Sequence, residues 1–348
     1  MRAMLIRSFG SERVLELADV QRPELRPDEV LVRVAAVAVS RTRDIATRTG
    51  KHPFSRQVTL PHVLGGDFAG TLEEVGCDLP GDLVGQRVAG ACGVTCGRCR
   101  SCLGGHSERC ESTKIVGIHR WGSYAEYVSI PAVNVRRIPD NISMPEAAAL
   151  AATGPIAYKQ LEVAEVHEGA PIVVTGATGA LGSVLLTLAG LRGARGIALS
   201  RRPLEIPAVL PTAARLDCSD PDLGNAILRA TEGRGAHAAI DNVADPEVFL
   251  RYFPALSVGG RVVVSGGIGV NGAPVLSVPA GPLYIRSISL IGVRSCTLAD
   301  TEAFWRLVDN GFRLPAGLIR AFPIEEAPAV HASITTGSTM AHTVLTFD

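Results

Sequence analysis

The chain has 348 residues, 34 of them Lys or Arg and 34 Asp or Glu, so its formal net charge is zero. That balance gives no electrostatic pull toward nucleic acid or an anionic membrane surface, which leaves a small molecule as the expected partner. At 47% hydrophobic and 20% charged residues, the chain is too apolar for disorder and long enough for two domains.

The first residues alternate like a strand and lack the apolar core and cleavage site of a signal peptide. The longest apolar run, residues 179–191, falls short of the roughly 20 residues that span a bilayer. A soluble, cytoplasmic protein is expected. Up to about residue 150 the texture is one of short alternating runs, at 29–37, 87–91 and 124–130, separated by Gly, Pro and Asp turns, and it predicts a mostly β half. From about 151 to 290, apolar runs at 171–175, 196–199, 238–241 and 261–265 interleave with helix-length segments, the first ending near Arg192. That alternation predicts βαβ units around a parallel sheet buried on both faces. A helix at 298–310 and a strand at 343–347 close the chain.

Gly176-Ala177-Thr178-Gly179-Ala180-Leu181-Gly182 lies between an apolar strand and an apolar helix. Gly176 suits a tight turn, Gly179 a close backbone approach to a pyrophosphate, and Gly182 close packing of helix on strand. The free N–H groups of the helix start face the anion. Gly176, Thr178, Gly179, Ala180 and Leu181 are therefore the expected dinucleotide cradle. The next strand runs into Ser200-Arg201-Arg202, where an NAD site would carry an acidic residue for the ribose. A hydroxyl followed by two guanidinium groups suits a 2′-phosphate instead, so NADPH is the expected cofactor. Asn242 and Val243 follow the strand ending at Asp241, where parallel strands deliver loops to a cofactor.

Four of the eight cysteines, Cys96, Cys99, Cys102 and Cys110, fall within 15 residues at C-x2-C-x2-C-x7-C spacing. Four thiolates without an open position suit one structural zinc ion. This spacing, the glycine turn, and the stretches Gly122-Ser-Tyr-Ala-Glu-Tyr127, Gly235-Ala-His-Ala-Ala-Ile-Asp241 and Gly259-Gly-Arg-Val-Val-Val-Ser-Gly266 resemble the medium-chain dehydrogenase/reductase superfamily of zinc alcohol dehydrogenases and quinone oxidoreductases. The resemblance covers essentially the whole chain. It implies an α/β fold: a Rossmann-type doubly wound parallel sheet at 153–294, and a GroES-like β-rich catalytic domain from 1–152 and 295–348 with a zinc lobe at about 92–112. It also implies a homodimer or homotetramer formed through the cofactor domains, with Arg41 near the cofactor pyrophosphate and Gly266 and Val293 beside the nicotinamide.

The departures from the zinc enzymes are specific. Where those carry a catalytic Cys, a His-Glu pair and a further ligand, this chain has Ser40, Gly66-Asp67 and Ala152. Ser, Gly and Ala do not supply the thiolate, imidazole or carboxylate that zinc requires. A catalytic metal is thus not expected, and the Gly65-Gly66-Asp67-Phe68-Ala69-Gly70 stretch is similar to the zinc-free quinone and enoyl reductases of the superfamily. Without a Lewis acid, hydrogen-bond donors must stabilise the oxygen on which charge develops, which favours acceptors activated by conjugation.

By the same resemblance Thr42 stands where relatives relay a proton, and its hydroxyl fits that role or a backbone cap. Asp67 suits orienting Arg41, Arg43 or a water, or a structural ion pair; Asp44 reads as a cap. His119 lies in a loop that borders the substrate cleft in relatives and reads as a general acid or a surface side chain. The expected activity is NADPH-dependent reduction of an activated double bond or quinone. The alternatives are reduction of a ketone, aldehyde or iminium ion in specialised metabolism, and a non-catalytic NADPH-binding sensor or scaffold.

Overall fold

A computed structural model describes residues 1–267, 274–337 and 342–347. The chain forms two compact units, one of residues 1–152, 297–313 and 319–348, the other of residues 153–296 and 314–318.

The first unit is built on antiparallel strands. Glu29–Ala38, whose Val, Leu and Ala side chains are largely buried, pairs with Asp67–Val75, Tyr127–Pro131 and His342–Thr346. Arg87–Gly90 and Val135–Arg137 extend the sheet on one side and Ile319–Pro323 on the other. A smaller sheet of Leu15–Asp19, Arg2–Ile6 and His62–Val63 closes the barrel-like core around Leu5, Ile6, Val30, Val63, Phe68 and Tyr124. The strand expected at 124–130 starts three residues later. Tyr124 instead donates its N–H to Leu64 O and Ala125 makes an isolated bridge with Ala3, so these residues tie the two sheets together.

The second unit holds a six-stranded sheet in the spatial order Ala214–Asp217, Arg195–Ser200, Pro171–Val174, Ala236–Asp241, Leu256–Val264, Ser289–Gly292, every pair parallel. In chain numbering within this sheet the order is 3-2-1-4-5-6, the doubly wound dinucleotide-binding arrangement, with its reversal of direction beside the first strand. The central strands are apolar because helices such as Ala180–Leu191 cover the sheet.

The 20-residue helix Met144–Val163 has no counterpart in the periodicity reading, which extends the β-rich half to about residue 150. It is rich in Ala, and its few polar residues, Glu146, Lys159, Gln160 and Glu162, are spread around it, so no amphipathic stripe announces it. Among the described residues no helix is long and apolar enough to cross a membrane.

Candidate active site

In the second unit the turn after Pro171–Val174 is shaped by its glycines. Gly176 has φ +63°, and a Cβ on Gly182 would lie 2.3 Å from Gly176 O, so only a bare backbone lets the helix start this close to the strand. Gly179 is the N-cap of Ala180–Leu191 and offers no side-chain cap, which leaves the first helical N–H groups, including those of Ala180 and Leu181, open to an anion. Thr178 is half-buried in the turn.

The neighbouring loop is held by Asp241, a residue the sequence reading treats only as a strand end. Its buried carboxylate accepts hydrogen bonds from Thr175 Oγ1 at 2.7 Å, from the Val243 and Ala244 N–H groups at 3.0 and 2.8 Å, and from the Tyr252 hydroxyl at 2.8 Å. Asn242 Oδ1 accepts from Gln160 Nε2 at 2.7 Å. Asn242 Nδ2 and Gln160 Oε1 are buried with no partner, so this loop presents one donor and one acceptor that a polar ligand can satisfy. Gly266 packs on the same loop, where a Cβ would lie 2.6 Å from Val243 C, and Val293 is bridged to the strand end by Ser265 Oγ at 2.9 Å. These features fit a dinucleotide. At the end of the second strand Ser200 Oγ accepts the Arg202 N–H at 3.0 Å; Arg201 and Arg202 are both exposed, and Arg202 also pairs with Glu205 at 3.0 Å.

In the first unit, residues 40–67 form a buried ionic cluster. After Glu29–Ala38 the chain enters a single wide turn, Arg41–Ile45, capped by Ser40, whose Oγ accepts the Arg43 N–H while its own N–H donates to Asp44 Oδ2 at 2.7 Å. Such a wide turn rotates side chains off the helical register, and here it sends Arg41 and Thr42 outward and Arg43 inward. Arg43 donates from Nε and Nη2 to Asp44 at 2.9 and 3.2 Å and from Nη1 to Asp67 at 2.7 Å. Asp67 Oδ1 accepts the Cys92 N–H at 3.1 Å. Asp44 therefore does more than cap. Burial works against the Arg43 charge, but the two carboxylates more than offset it and hold the guanidinium firmly protonated. Burial pushes the neighbouring Cys92 thiol up to about 12, so it stays protonated.

Thr42 is exposed, with its Oγ1 3.4 Å from Ser40 Oγ. His119 has both ring nitrogens engaged: Nδ1 accepts the Ile115 N–H at 3.0 Å, and Nε2 lies 3.0 Å from Gln57 Oε1. Burial and then Lys114 lower its pKa, which leaves it neutral near pH 7. The structure thus brings Ser40, Arg43, Asp44 and Asp67 into one cluster, and leaves His119 in a separate one with Phe54 and Gln57.

The zinc lobe is gathered by a short hairpin, Gly93–Val94 with Lys114–Ile115, which closes the base of the loop. The four sulfur atoms of Cys96, Cys99, Cys102 and Cys110 lie within 4.8 Å of one another, a spacing that fits a tetrahedral shell. Backbone N–H groups of Arg98 and Cys99 lower the Cys96 thiol's pKa and so favour the thiolate.

Residues 26–140 match the family model of the alcohol dehydrogenase GroES-like domain, and residues 180–310 that of the zinc-binding dehydrogenase. Among solved structures, an NAD-dependent alcohol dehydrogenase is 30% identical with a TM-score of 0.90 over 100% of both chains. The cobalt- and zinc-bound thermostable alcohol dehydrogenase of Pyrobaculum aerophilum is 27% identical with a TM-score of 0.87, covering 100% of this chain and 99% of that one. The L-threonine 3-dehydrogenase of Yersinia pestis (strain Pestoides F) is 25% identical over 320 residues, 91% of this chain and 92% of the relative. A GroES-like unit, a six-stranded dinucleotide sheet and a four-cysteine lobe on one chain define a zinc-type dehydrogenase. The chain belongs to the medium-chain dehydrogenase/reductase superfamily.

Proposed function

We propose that this dehydrogenase is an NADPH-dependent reductase of activated double bonds, enones or quinones, that works without catalytic zinc. The observation that carries the proposal is the donor set at the family's catalytic metal position. Ser40, Gly66 and Ala152 offer no ligand, and the carboxylate at the remaining one of those positions, Asp67, is already paired with Arg43, as is its neighbour Asp44. A single engaged carboxylate does not fit a zinc ion.

Bound NADPH would supply the hydride. The glycine turn and the open N–H groups at the start of Ala180–Leu191 would hold its pyrophosphate, and Asn242 with Gln160 would meet a polar edge of the ligand. Ser200, Arg201 and Arg202 would take the 2′-phosphate, since no acidic residue stands in that stretch to bind an unphosphorylated ribose. That stretch sets the cofactor choice apart from the overall likeness to an NAD-dependent enzyme. The Val243, Gly266 and Val293 backbone would complete the cofactor's surroundings in the second unit. On the acceptor side, Thr42 is the exposed hydroxyl available to bond the substrate oxygen. The four cysteines would hold one structural zinc.

The assay is NADPH consumption across enones, quinones, aldehydes and imines, with the products identified. Saturation of C=C with the carbonyl intact supports this reading; an alcohol or amine product supports carbonyl or iminium reduction instead. No consumption with any of them supports the cofactor-binding sensor.

A further inference from the structure

We propose that the Arg43 guanidinium is the resident cation of this site, taking the place that a catalytic metal occupies in zinc relatives and donating directly to the oxygen of the hydride acceptor. The inference rests on the reading of a reductase without catalytic zinc.

Three separate observations converge on this side chain. Of the four positions that hold the metal in zinc relatives, three, at 40, 66 and 67, meet Arg43: Ser40 Oγ accepts its backbone N–H, Asp67 holds its Nη1, and a Cβ on Gly66 would lie 3.1 Å from its Cζ. The same Cβ would also lie 2.5 Å from Cys92 Cβ and 2.8 Å from Val116 O, so no imidazole fits at position 66 while the guanidinium is there. Second, the charge is fixed. Asp44 is fully buried, and the Arg43 and Asp67 side chains are 8% and 11% exposed, so the guanidinium is held at one place in a poorly hydrated setting, where the two carboxylates balance its charge and its N–H groups act as directed donors. Third, its donors are not exhausted. Of five N–H groups, three go to Asp44 and Asp67 and the Cys92 sulfur is within reach of a fourth. At least one Nη hydrogen remains.

In the reaction, the β-carbon of the enone would receive the hydride that bound NADPH supplies. The C=C electron pair moves through the carbonyl carbon onto oxygen, and the remaining Arg43 N–H bonds the enolate oxygen as its charge grows. A proton from water then reaches the α-carbon, so that NADPH is oxidised to NADP⁺ and the substrate gains two hydrogens. Arg43 keeps its own protons throughout.

The test measures kcat for NADPH-dependent enone reduction, together with NADPH affinity by fluorescence titration, in the parent and in Arg43→Ala, with and without millimolar guanidinium chloride. The expected result is a loss of about 100-fold in kcat, NADPH affinity within about twofold of the parent, and partial recovery with guanidinium but not with equal sodium chloride. Removing the cation leaves the Asp44 and Asp67 carboxylates without their charge partner, so the triple variant Arg43→Met, Asp44→Asn, Asp67→Asn is measured beside it. A kcat within about threefold of the parent in either variant that still binds NADPH would overturn the proposal, as would Arg43→Ala that folds yet shows no guanidinium rescue. A parent protein that reduces no enone or quinone refutes the functional reading itself, and is told apart because it shows before any variant is compared.

Discussion

Arg201 and Arg202 illustrate how much a pair of side chains can decide. Charge-assisted bonds to a phosphate contribute about 1.5–3 kcal/mol each, so Arg201→Ala, Arg202→Ala is expected to weaken NADPH binding at least about tenfold and leave NADH binding nearly unchanged. Isothermal titration with both cofactors measures this, and equal wild-type affinities would refute the 2′-phosphate argument. A second residue carries a pH signature. His331 in Ala327–Thr336 is fully buried, with Nε2 2.9 Å from the Tyr124 hydroxyl. Burial, aided by the Arg48 charge, pulls its pKa down to about 3. As pH falls below about 6.5 the unfolded chain binds a proton here that the folded chain refuses until near pH 3, so stability is present at neutral pH and declines across that window by about 1.4 kcal/mol per pH unit. Urea unfolding of His331→Gln between pH 6 and 4.5 should show a slope shallower by about one proton. An unchanged slope would mean the histidine is not the group responsible.

At the scale of elements, the glycine turn was open to reading from sequence because its information is local: three glycines at fixed spacing between an apolar strand and an apolar helix specify the backbone path. Gly182→Val puts a side chain where a Cβ already lies 2.3 Å from Gly176 O. The expected outcome is loss of NADPH binding by more than about tenfold with destabilisation of about 1–3 kcal/mol, read by titration and thermal melting. Retained binding would mean the turn does not hold the pyrophosphate. The ionic cluster was legible only in part. Ser40, Gly66 and Asp67 mark a lost metal position, but Arg43 meets Asp67 across 24 residues of sequence, and nothing local says that the wide turn Arg41–Ile45 would aim it inward. The hub role of Asp241 was hidden for the same reason, since its partners Thr175 and Tyr252 come from other elements. The helix Met144–Val163 escaped the periodicity reading because its polar residues Glu146, Lys159, Gln160 and Glu162 gather on no one face and leave no period to detect.

At the scale of the whole molecule, two surfaces bear on assembly and metal content. The strand Ser289–Gly292 ends the six-stranded sheet, and among the described residues only its inner edge is paired. Beside it Tyr284 and Ile285 are 85% and 76% exposed. An open edge flanked by apolar side chains is suited to a second copy of this chain, and Tyr284→Glu, Ile285→Glu should shift the mass measured by light scattering from dimer or tetramer to monomer. A monomeric parent would refute that expectation. The cysteine lobe should bring one zinc per chain by elemental analysis, and Cys99→Ser should lower the melting temperature before it lowers kcat.

The proposed reaction passes hydride from NADPH to a conjugated carbon without a catalytic metal. It is tested most directly by following deuterium from C4-labelled NADPH into an enone, using protein shown to hold one zinc per chain, and locating the label by NMR. Deuterium is expected on the β-carbon of a saturated ketone. Deuterium on the carbinol carbon of an unsaturated alcohol, or transfer that begins only when a second metal ion per chain is added, would contradict it.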